Sequence, residues 1–124
     1  NYVKFALEFD PGNGGKTLAV VPEVDGIDHE NAVLKVKGAV REMWLMVIRY
    51  DETYVFSASR DGQNYKTIVH QKYELDFPAQ VGIIAHKGAP ENPSGIDAQF
   101  DFFEIVPLET RPGLKELIAA ELTF

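Results

Sequence analysis

The stretch from Trp44 to Gly62, WLMVIRYDETYVFSASRDG, decides the fold. Its first seven residues are large and apolar except for Arg49, and a two-residue alternation follows from Thr53 to Ser59. Such a period is typical of a pleated strand with one face turned toward a core. Asp51-Glu52 separates the two runs, and Asp61-Gly62 provides residues that accept a positive φ. The stretch therefore predicts two strands and a turn into a third.

Further strands are predicted on both sides of this hairpin. They run over 2–9, 17–24, 32–36, 65–70, 81–85 and 97–106, with turn-forming residues between most of them. About eight strands at this spacing indicate an all-β sandwich or barrel. Only residues 112–122 break the pattern, because leucine and isoleucine recur there at the three-and-four spacing of an amphipathic helix that begins near a proline.

Composition narrows the class of protein. The chain has 124 residues, of which 45% are apolar and 25% charged, as expected of one globular domain with a sizeable core. Its net charge of −7 and scattered basic residues argue against a nucleic-acid partner, which requires a clustered basic face. No apolar run reaches the roughly 18 residues of a membrane helix, so no membrane insertion is expected. The absence of cysteine excludes disulfides and thiolate metal sites but fits the cytosol and the exterior alike.

Several groups of residues carry a resemblance that goes beyond pattern. They are Trp44-Leu with Val47-Ile-Arg49, Ser59-x-Asp-Gly62 with Tyr65, Val81-Gly-Ile-Ile-Ala85, and Phe100-Asp-x-Phe-x-Ile105. In this order they resemble the concanavalin A-like domain found behind bacterial β-xylosidases and in other secreted proteins. The resemblance spans 44–105 and implies an antiparallel two-sheet jelly-roll sandwich, similar to lectins, laminin G-like domains and jelly-roll glucanases. The chain departs from the family pattern in Met46, which replaces an arginine, and in Tyr65, which replaces a tryptophan.

The first residues extend the resemblance. Asn1-Tyr-Val-Lys4 is similar to a strand in the middle of that family's domain, which implies that the strands normally preceding it are missing. We therefore expect a β-sandwich over 1–108, incomplete on its amino-terminal side, and a helix or linker over 109–124. An open sheet edge invites pairing, so we expect another domain or chain to complete the sheet there. The family also implies an extracellular or cell-surface location in a prokaryote, with a targeting segment that this chain does not contain.

Catalytic carboxylates are not recognisable. Glycosidases need a pair of them, and related jelly-roll glucanases place them as Glu-x-Asp-x-x-Glu on one strand. The closest match is Glu8-Phe-Asp10, which runs into Pro11-Gly12 without a third carboxylate. The histidines at 29, 70 and 86 also lack the spacing of metal ligands. We therefore expect a domain without catalytic activity.

Carbohydrate binding requires flat aromatic rings for sugar C–H groups and polar side chains for hydroxyls. Trp44 and Tyr50 share a parity on their strand, so they are expected on the outer sheet face if Leu45 and Val47 point into the sandwich. A polar loop is expected to rim that face, because loops commonly carry function. An aromatic stripe of this kind is also typical of packing. The predicted carbohydrate site comprises Trp44, Tyr50, His86, Glu91 and Asn92.

A calcium site is implied by the resemblance alone. In related glucanases the aspartate of the last strand binds a structural Ca²⁺ together with main-chain oxygens of the first strand, and Asp101 stands at the matching position. Calcium takes six to eight oxygen ligands, so one aspartate needs such help. The alternative is an Asp101 that hydrogen-bonds to neighbouring backbone.

The function implied is that of a non-catalytic carbohydrate-binding or accessory domain of a secreted glycan-processing or surface protein, with an oligo- or polysaccharide as partner. Two alternatives remain open. One is a structural or protein-interaction module whose aromatic stripe is covered by a partner. The other is part of a glycoside hydrolase of the same fold whose catalytic residues lie outside this chain.

Overall fold

The computed structural model describes residues 1–10, 12, 15–29, 32–75, 78–86 and 97–110. They fall into two units, 1–75 and 78–110, and each unit is described by itself. All strands among the described residues lie in the first unit. They are β1 (Tyr2–Asp10), β2 (Gly15–Val24), β3 (Ile27–Asp28), β4 (Ala32–Lys35), β5 (Trp44–Tyr50), β6 (Thr53–Ser59) and β7 (Lys66–Lys72).

The strands of the first unit form two antiparallel sheets. In one sheet β2 is central, with β1 on one side and the short strands β3 and β4 on the other. In the other sheet β6 is central, between β5 and β7. The predicted arrangement of two antiparallel sheets is thus confirmed for this unit.

Two tight turns have the backbone that their residues predict. Asp25 and Gly26 connect β2 to β3 with φ values of 53° and 77°, the two positive values that a type I′ hairpin turn requires. Asp51 begins the connection from β5 to β6 with a φ of 51°. Aspartate tolerates this left-handed region better than most residues, because its short polar side chain bonds locally. These turns set the register of both hairpins.

The hydrophobic core lies between the two sheets. Leu18 and Val20 of β2 are fully buried in clusters that also contain Phe56 and Ala58 of β6. Phe5 of β1 meets Phe56 edge to face, with ring centroids 5.5 Å apart. Such aromatic pairs contribute about 0.5–1.5 kcal/mol beyond the area that they bury. The two sheets are therefore the two layers of a sandwich.

A β-bulge in β7 adjusts the packing of this core. Phe56 pairs with Val69, whereas the next residue of β6, Ser57, pairs with Thr67, so Ile68 is an extra residue in β7. Ile68 and Val69 both pack against the core clusters, although they are consecutive in sequence. The bulge thus places two neighbouring apolar side chains on the same side of the sheet.

The second unit does not match the strand prediction. The strands predicted over 81–85 and 97–106 are wrong, because the described residues there form no strand and their large apolar side chains are exposed. An apolar run indicates that a segment suits a sheet, but it does not supply the partner strand that a ladder requires. The helix predicted over 112–122 lies outside the described residues. Within the described ranges no helix has the length and apolar character needed to cross a membrane.

Candidate functional site

The candidate site lies on the face of the β5–β6–β7 sheet opposite the core. Directly opposed residues of antiparallel strands share a face, so the register assigns each side chain. Leu45 pairs with Ala58 and Val47 with Phe56, which places Leu45 and Val47 on the core side. The outer face consequently carries Trp44, Met46, Ile48 and Tyr50 from β5 and Val55, Ser57 and Ser59 from β6.

Trp44 is held at one end of this outer face by the turn that follows β6. A β-carbon built on Gly62 would lie 3.0 Å from both Cε2 and Nε1 of the Trp44 indole. Gly62 also has a φ of 72°, in the left-handed region that favours glycine. The indole therefore packs directly on the backbone of the turn, and Trp44 is only partly buried.

The turn beneath Trp44 is organised by Ser59 and Asp61. The Ser59 hydroxyl donates to Asp61 Oδ1 at 2.8 Å and accepts from the backbone N–H of Gly62 at 3.0 Å. Asp61 Oδ1 also accepts from the backbone N–H groups of Gln63 and Asn64, at 2.9 and 2.8 Å, and Asn64 Nδ2 donates to Asp61 Oδ2 at 2.7 Å. The side chains of these two residues thus satisfy the turn's backbone donors and fix its shape.

The same hydrogen bonds affect the charge of Asp61. The backbone and side chain of Asn64, the backbone of Gln63 and the hydroxyl of Ser59 hold the pKa of the Asp61 carboxyl well below its usual range. Hydrogen bonds to the ionised form favour that form. Asp61 is therefore a carboxylate at neutral pH whose oxygens are engaged within the turn, and this arrangement indicates a structural role for its charge.

Polar side chains that are not buried flank Gly62 in the sequence of the turn. Gln63 and Asn64 are exposed, and each carries an amide that offers both donors and an acceptor. Arg60 is also exposed, and its guanidinium donates to the carbonyl oxygen of Lys37. We name Trp44, Gly62, Gln63 and Asn64 the Trp44 turn. It combines a fixed, partly exposed indole with amide groups, which is the chemistry that a sugar ring requires.

Of the other predicted carbohydrate residues that the structure describes, only Tyr50 lies in the same unit as Trp44. Tyr50 lies on the same face at the far end of β5, roughly 20 Å away at the usual rise per residue, and is only 8% exposed. Its ring therefore offers little surface to a sugar. His86 is exposed in the second unit. Glu91 and Asn92 lie outside the described residues.

The calcium site implied for Asp101 stays a prediction. Asp101 is exposed in the second unit. Among the residues that the structure describes, no group of three or more histidine, cysteine, aspartate or glutamate side chains could hold a metal ion. Calcium takes six to eight oxygens, so main-chain oxygens would have to supply most of the ligands beside Asp101.

Comparison with known proteins identifies the family of this chain. The family model described as "Protein of unknown function (DUF1349)" matches residues 1–108. The chain belongs to the DUF1349 family. The match includes all seven strands and the Trp44 turn. No curated protein and no solved structure matches the chain significantly.

The support of Trp44 in this DUF1349 chain is a feature that the sequence interpretation missed. The sequence presents Trp44 and the Ser59-x-Asp-Gly62 motif as separate features, whereas the structure places the indole on the glycine of that motif. One signal was available, since an aspartate in a turn typically accepts a hydrogen bond from the backbone two residues further on. The contact between indole and turn has no comparable local signature, because its partners are 18 positions apart in the sequence.

Proposed function

We propose that this DUF1349 chain is a non-catalytic carbohydrate-binding or accessory domain that binds an oligo- or polysaccharide at the Trp44 turn. The observation that carries the proposal is the packing of the partly exposed Trp44 indole on Gly62, at 3.0 Å from the β-carbon position. An aromatic ring held in place before the ligand arrives loses little conformational entropy on binding.

The binding mechanism follows from the groups present. The exposed part of the Trp44 indole stacks on the C–H side of a sugar ring, and the amides of Gln63 and Asn64 exchange hydrogen bonds with its hydroxyls. One aromatic contact and two or three hydrogen bonds together contribute about 4 kcal/mol. That free energy corresponds to a Kd of about 1 mM. A polysaccharide that occupies several copies of the domain would be held more tightly through avidity.

The proposal includes the finer features that the sequence resemblance implies. They are a concanavalin A-like jelly-roll connectivity, an extracellular or cell-surface location in a prokaryote, and a structural calcium at Asp101. The two antiparallel sheets of the first unit support the first of these features in its coarse form. Sugar binding itself rests on the chemistry of the Trp44 turn and on analogy with lectin-like domains.

The single tryptophan of the chain makes a direct test possible. In a two-dimensional ¹H–¹⁵N spectrum the one indole N–H signal belongs to Trp44, and titration with soluble plant and bacterial oligosaccharides is expected to shift it. Gln63→Ala should weaken binding without disturbing the sheet, because Gln63 is exposed. Tyr50→Phe is the matched control, because Tyr50 is buried at the opposite end of β5. If no glycan moves the indole signal of the folded chain, the proposal fails.

A second candidate is a structural or protein-interaction module, favoured by the core side of β5. Leu45 and Val47 share a face with the core residues of β6, yet they are 41% and 49% exposed. A partner that covered them would continue the core beyond the edge of this sheet. In that case Leu45→Lys would abolish partner binding and leave the fold intact, whereas glycans would leave the indole signal unchanged. A third alternative, part of a glycoside hydrolase, predicts hydrolysis only when further chain segments supply the carboxylates.

A further inference from the structure

The strand β1 has the properties of an edge that pairs. It lies at the end of its sheet and pairs with β2 along its whole length, without a bulge, from Tyr2 opposite Glu23 to Asp10 opposite Gly15. No other described strand pairs with it. A long, regular edge strand presents a row of backbone N–H and C=O groups to a further strand, and native proteins usually interrupt such an edge with proline or a bulge. β1 contains neither.

The sequence of β1 is complementary to itself in the antiparallel direction. A two-fold axis through Ala6 places Lys4 opposite Glu8 of the second copy, and Glu8 opposite its Lys4. The same axis places Phe5 opposite Leu7 and Val3 opposite Phe9. Each apolar residue thus meets an apolar residue on the core side, and Lys4 and Glu8 each meet an opposite charge on the outer side.

Parallel pairing and a shift of the antiparallel register by one residue both lack this complementarity. Parallel in-register pairing would place Lys4 against Lys4 and Glu8 against Glu8, which is unfavourable for directly opposed like charges. A shift by one residue would place apolar side chains opposite polar ones, because the side-chain period of a strand is two. The antiparallel arrangement about Ala6 therefore pairs apolar residues with apolar residues and Lys4 with Glu8.

Burial supports the same arrangement. Phe9 is 72% exposed on β1, although it shares the core side of the strand with Val3, Phe5 and Leu7. Opposite Val3 of a second copy, its ring would be partly covered. On the outer side, Lys4 and Glu8 already form an ion pair of 3.2 Å within one chain. The second copy would complete a ring of two lysines and two glutamates around the axis.

We propose that β1 pairs antiparallel with β1 of a second copy of this chain, so that two four-stranded sheets join into one continuous sheet across a two-fold dimer. An interface of one strand on each side is small, and complexes that bury less than about 1,200 Å² are commonly weak or transient. The exposed ion pairs add at most about 1 kcal/mol each. The dimer therefore forms with a Kd in the micromolar range or weaker.

The test is the oligomeric state of charge variants. Sedimentation velocity from about 10 µM to 1 mM is expected to show a concentration-dependent dimer of the 13.9-kDa chain. Lys4→Glu and Glu8→Lys each place like charges opposite one another in a homodimer. The Kd of the dimer should therefore be at least threefold higher for each variant alone than for the wild type. An equimolar mixture of the two variants should dimerise again, because every pair in the mixed dimer joins opposite charges.

Controls separate this pairing from general effects of charge. Lys35→Glu changes the net charge by the same amount at an exposed position on β4, and it should leave the dimer unchanged. Circular dichroism shows whether each variant retains its strands. A wild-type chain that stays monomeric at 1 mM, a dimer that Lys4→Glu does not weaken, or a mixture of the two variants that stays monomeric would each overturn the proposal.

Discussion

The indole of Trp44 occupies the space that a β-carbon on Gly62 would need, with two ring atoms 3.0 Å from that position. Trp44 begins β5, and Gly62 lies in the turn after β6, so the contact ties two consecutive elements of one sheet together. The shape of this turn depends on Ser59 and Asp61, whose side chains accept hydrogen bonds from its backbone N–H groups. The candidate binding residue and the stability of the hairpin are therefore coupled.

Gly62→Ala is expected to destabilise the fold in two ways, through its backbone conformation and through its contact with Trp44. An alanine with positive φ costs about 1 kcal/mol, and the added methyl group must displace the Trp44 ring. We expect a loss of about 2–3 kcal/mol in the free energy of unfolding, measured by urea denaturation, together with a change in tryptophan fluorescence.

Gly26→Ala is the matched control for this substitution. Gly26 has a similar φ of 77°, but nothing lies within 4 Å of its β-carbon position. Gly26→Ala should therefore lower the free energy of unfolding only by the cost of the positive φ, about 1 kcal/mol, and leave the tryptophan fluorescence unchanged. Equal losses for the two variants would contradict direct packing of Trp44 on Gly62.

The depressed pKa of Asp61 predicts a loss of stability in acid. A carboxyl whose pKa is lower in the folded than in the unfolded state stabilises the fold at every pH above its unfolded-state pKa, which is near 4. That stabilisation is lost as the pH falls below 4 and through the folded-state pKa. Asp61→Asn keeps an acceptor oxygen but removes the titration. The thermal midpoint of the wild type should therefore fall more steeply than that of Asp61→Asn between pH 4 and pH 2.

The control for Asp61→Asn is Asp25→Asn. Asp25 also lies in a tight turn with positive φ, a conformation that asparagine tolerates equally well. Its variant removes one carboxylate charge from a turn in the same way and shows the effect of that charge change alone. Parallel curves for the wild type and Asp61→Asn would show that the hydrogen bonds of Asp61 do not depend on its charge.

Two apolar residues that the sequence pattern places equally on the core side of a strand differ in how deeply they are buried. Leu18 is fully buried between the sheets, whereas Val47 is 49% exposed although it also lies on the core side of its sheet. Leu18→Ala should cost about 2–5 kcal/mol of unfolding free energy, and Val47→Ala less than about 1 kcal/mol. Urea denaturation of both variants measures the difference. A large loss for Val47→Ala would indicate that a partner chain covers β5 in solution.

Local sequence was sufficient to predict the β5–β6 hairpin and the turn after β2, but not the short strand β3. Asp25-Gly26 and Asp51 have residue types that accept positive φ, so the turns and the register beside them follow from a few neighbouring positions. The parity of Trp44 and Leu45 follows from the two-residue period alone. These features depend on interactions within about ten residues of the chain.

Features that depend on distant partners were not predictable in the same way. The extra residue Ile68 in β7 reflects how the core packs, and no turn residue marks it. The burial of Tyr50 and the contact of Trp44 with Gly62 depend on what lies over each end of β5. The segment 81–85 reads as a buried strand, yet apolar character alone does not specify which strand it would pair with.

A buried hydroxyl in β2 provides a final test of the packing. Thr17 is fully buried, and among the described residues its Oγ1 has no hydrogen-bond partner. A buried polar group without a partner costs about 1–3 kcal/mol relative to a satisfied one. Thr17→Val has nearly the same shape and removes that hydroxyl, so we expect it to raise the free energy of unfolding by about 1 kcal/mol, measured by urea denaturation.

Thr67→Val provides the opposite case. Thr67 Oγ1 lies 3.3 Å from the Ser57 hydroxyl in the neighbouring strand, and one of the two donates to the other. Because Ser57 is buried, removing this bond leaves its hydroxyl with fewer partners, and the free energy of unfolding should fall by about 1 kcal/mol. If Thr17→Val raises the free energy of unfolding and Thr67→Val lowers it, hydrogen bonding rather than β-propensity determines the effect of a Thr→Val substitution on stability. A destabilised Thr17→Val would instead mean that the Thr17 hydroxyl is satisfied in solution.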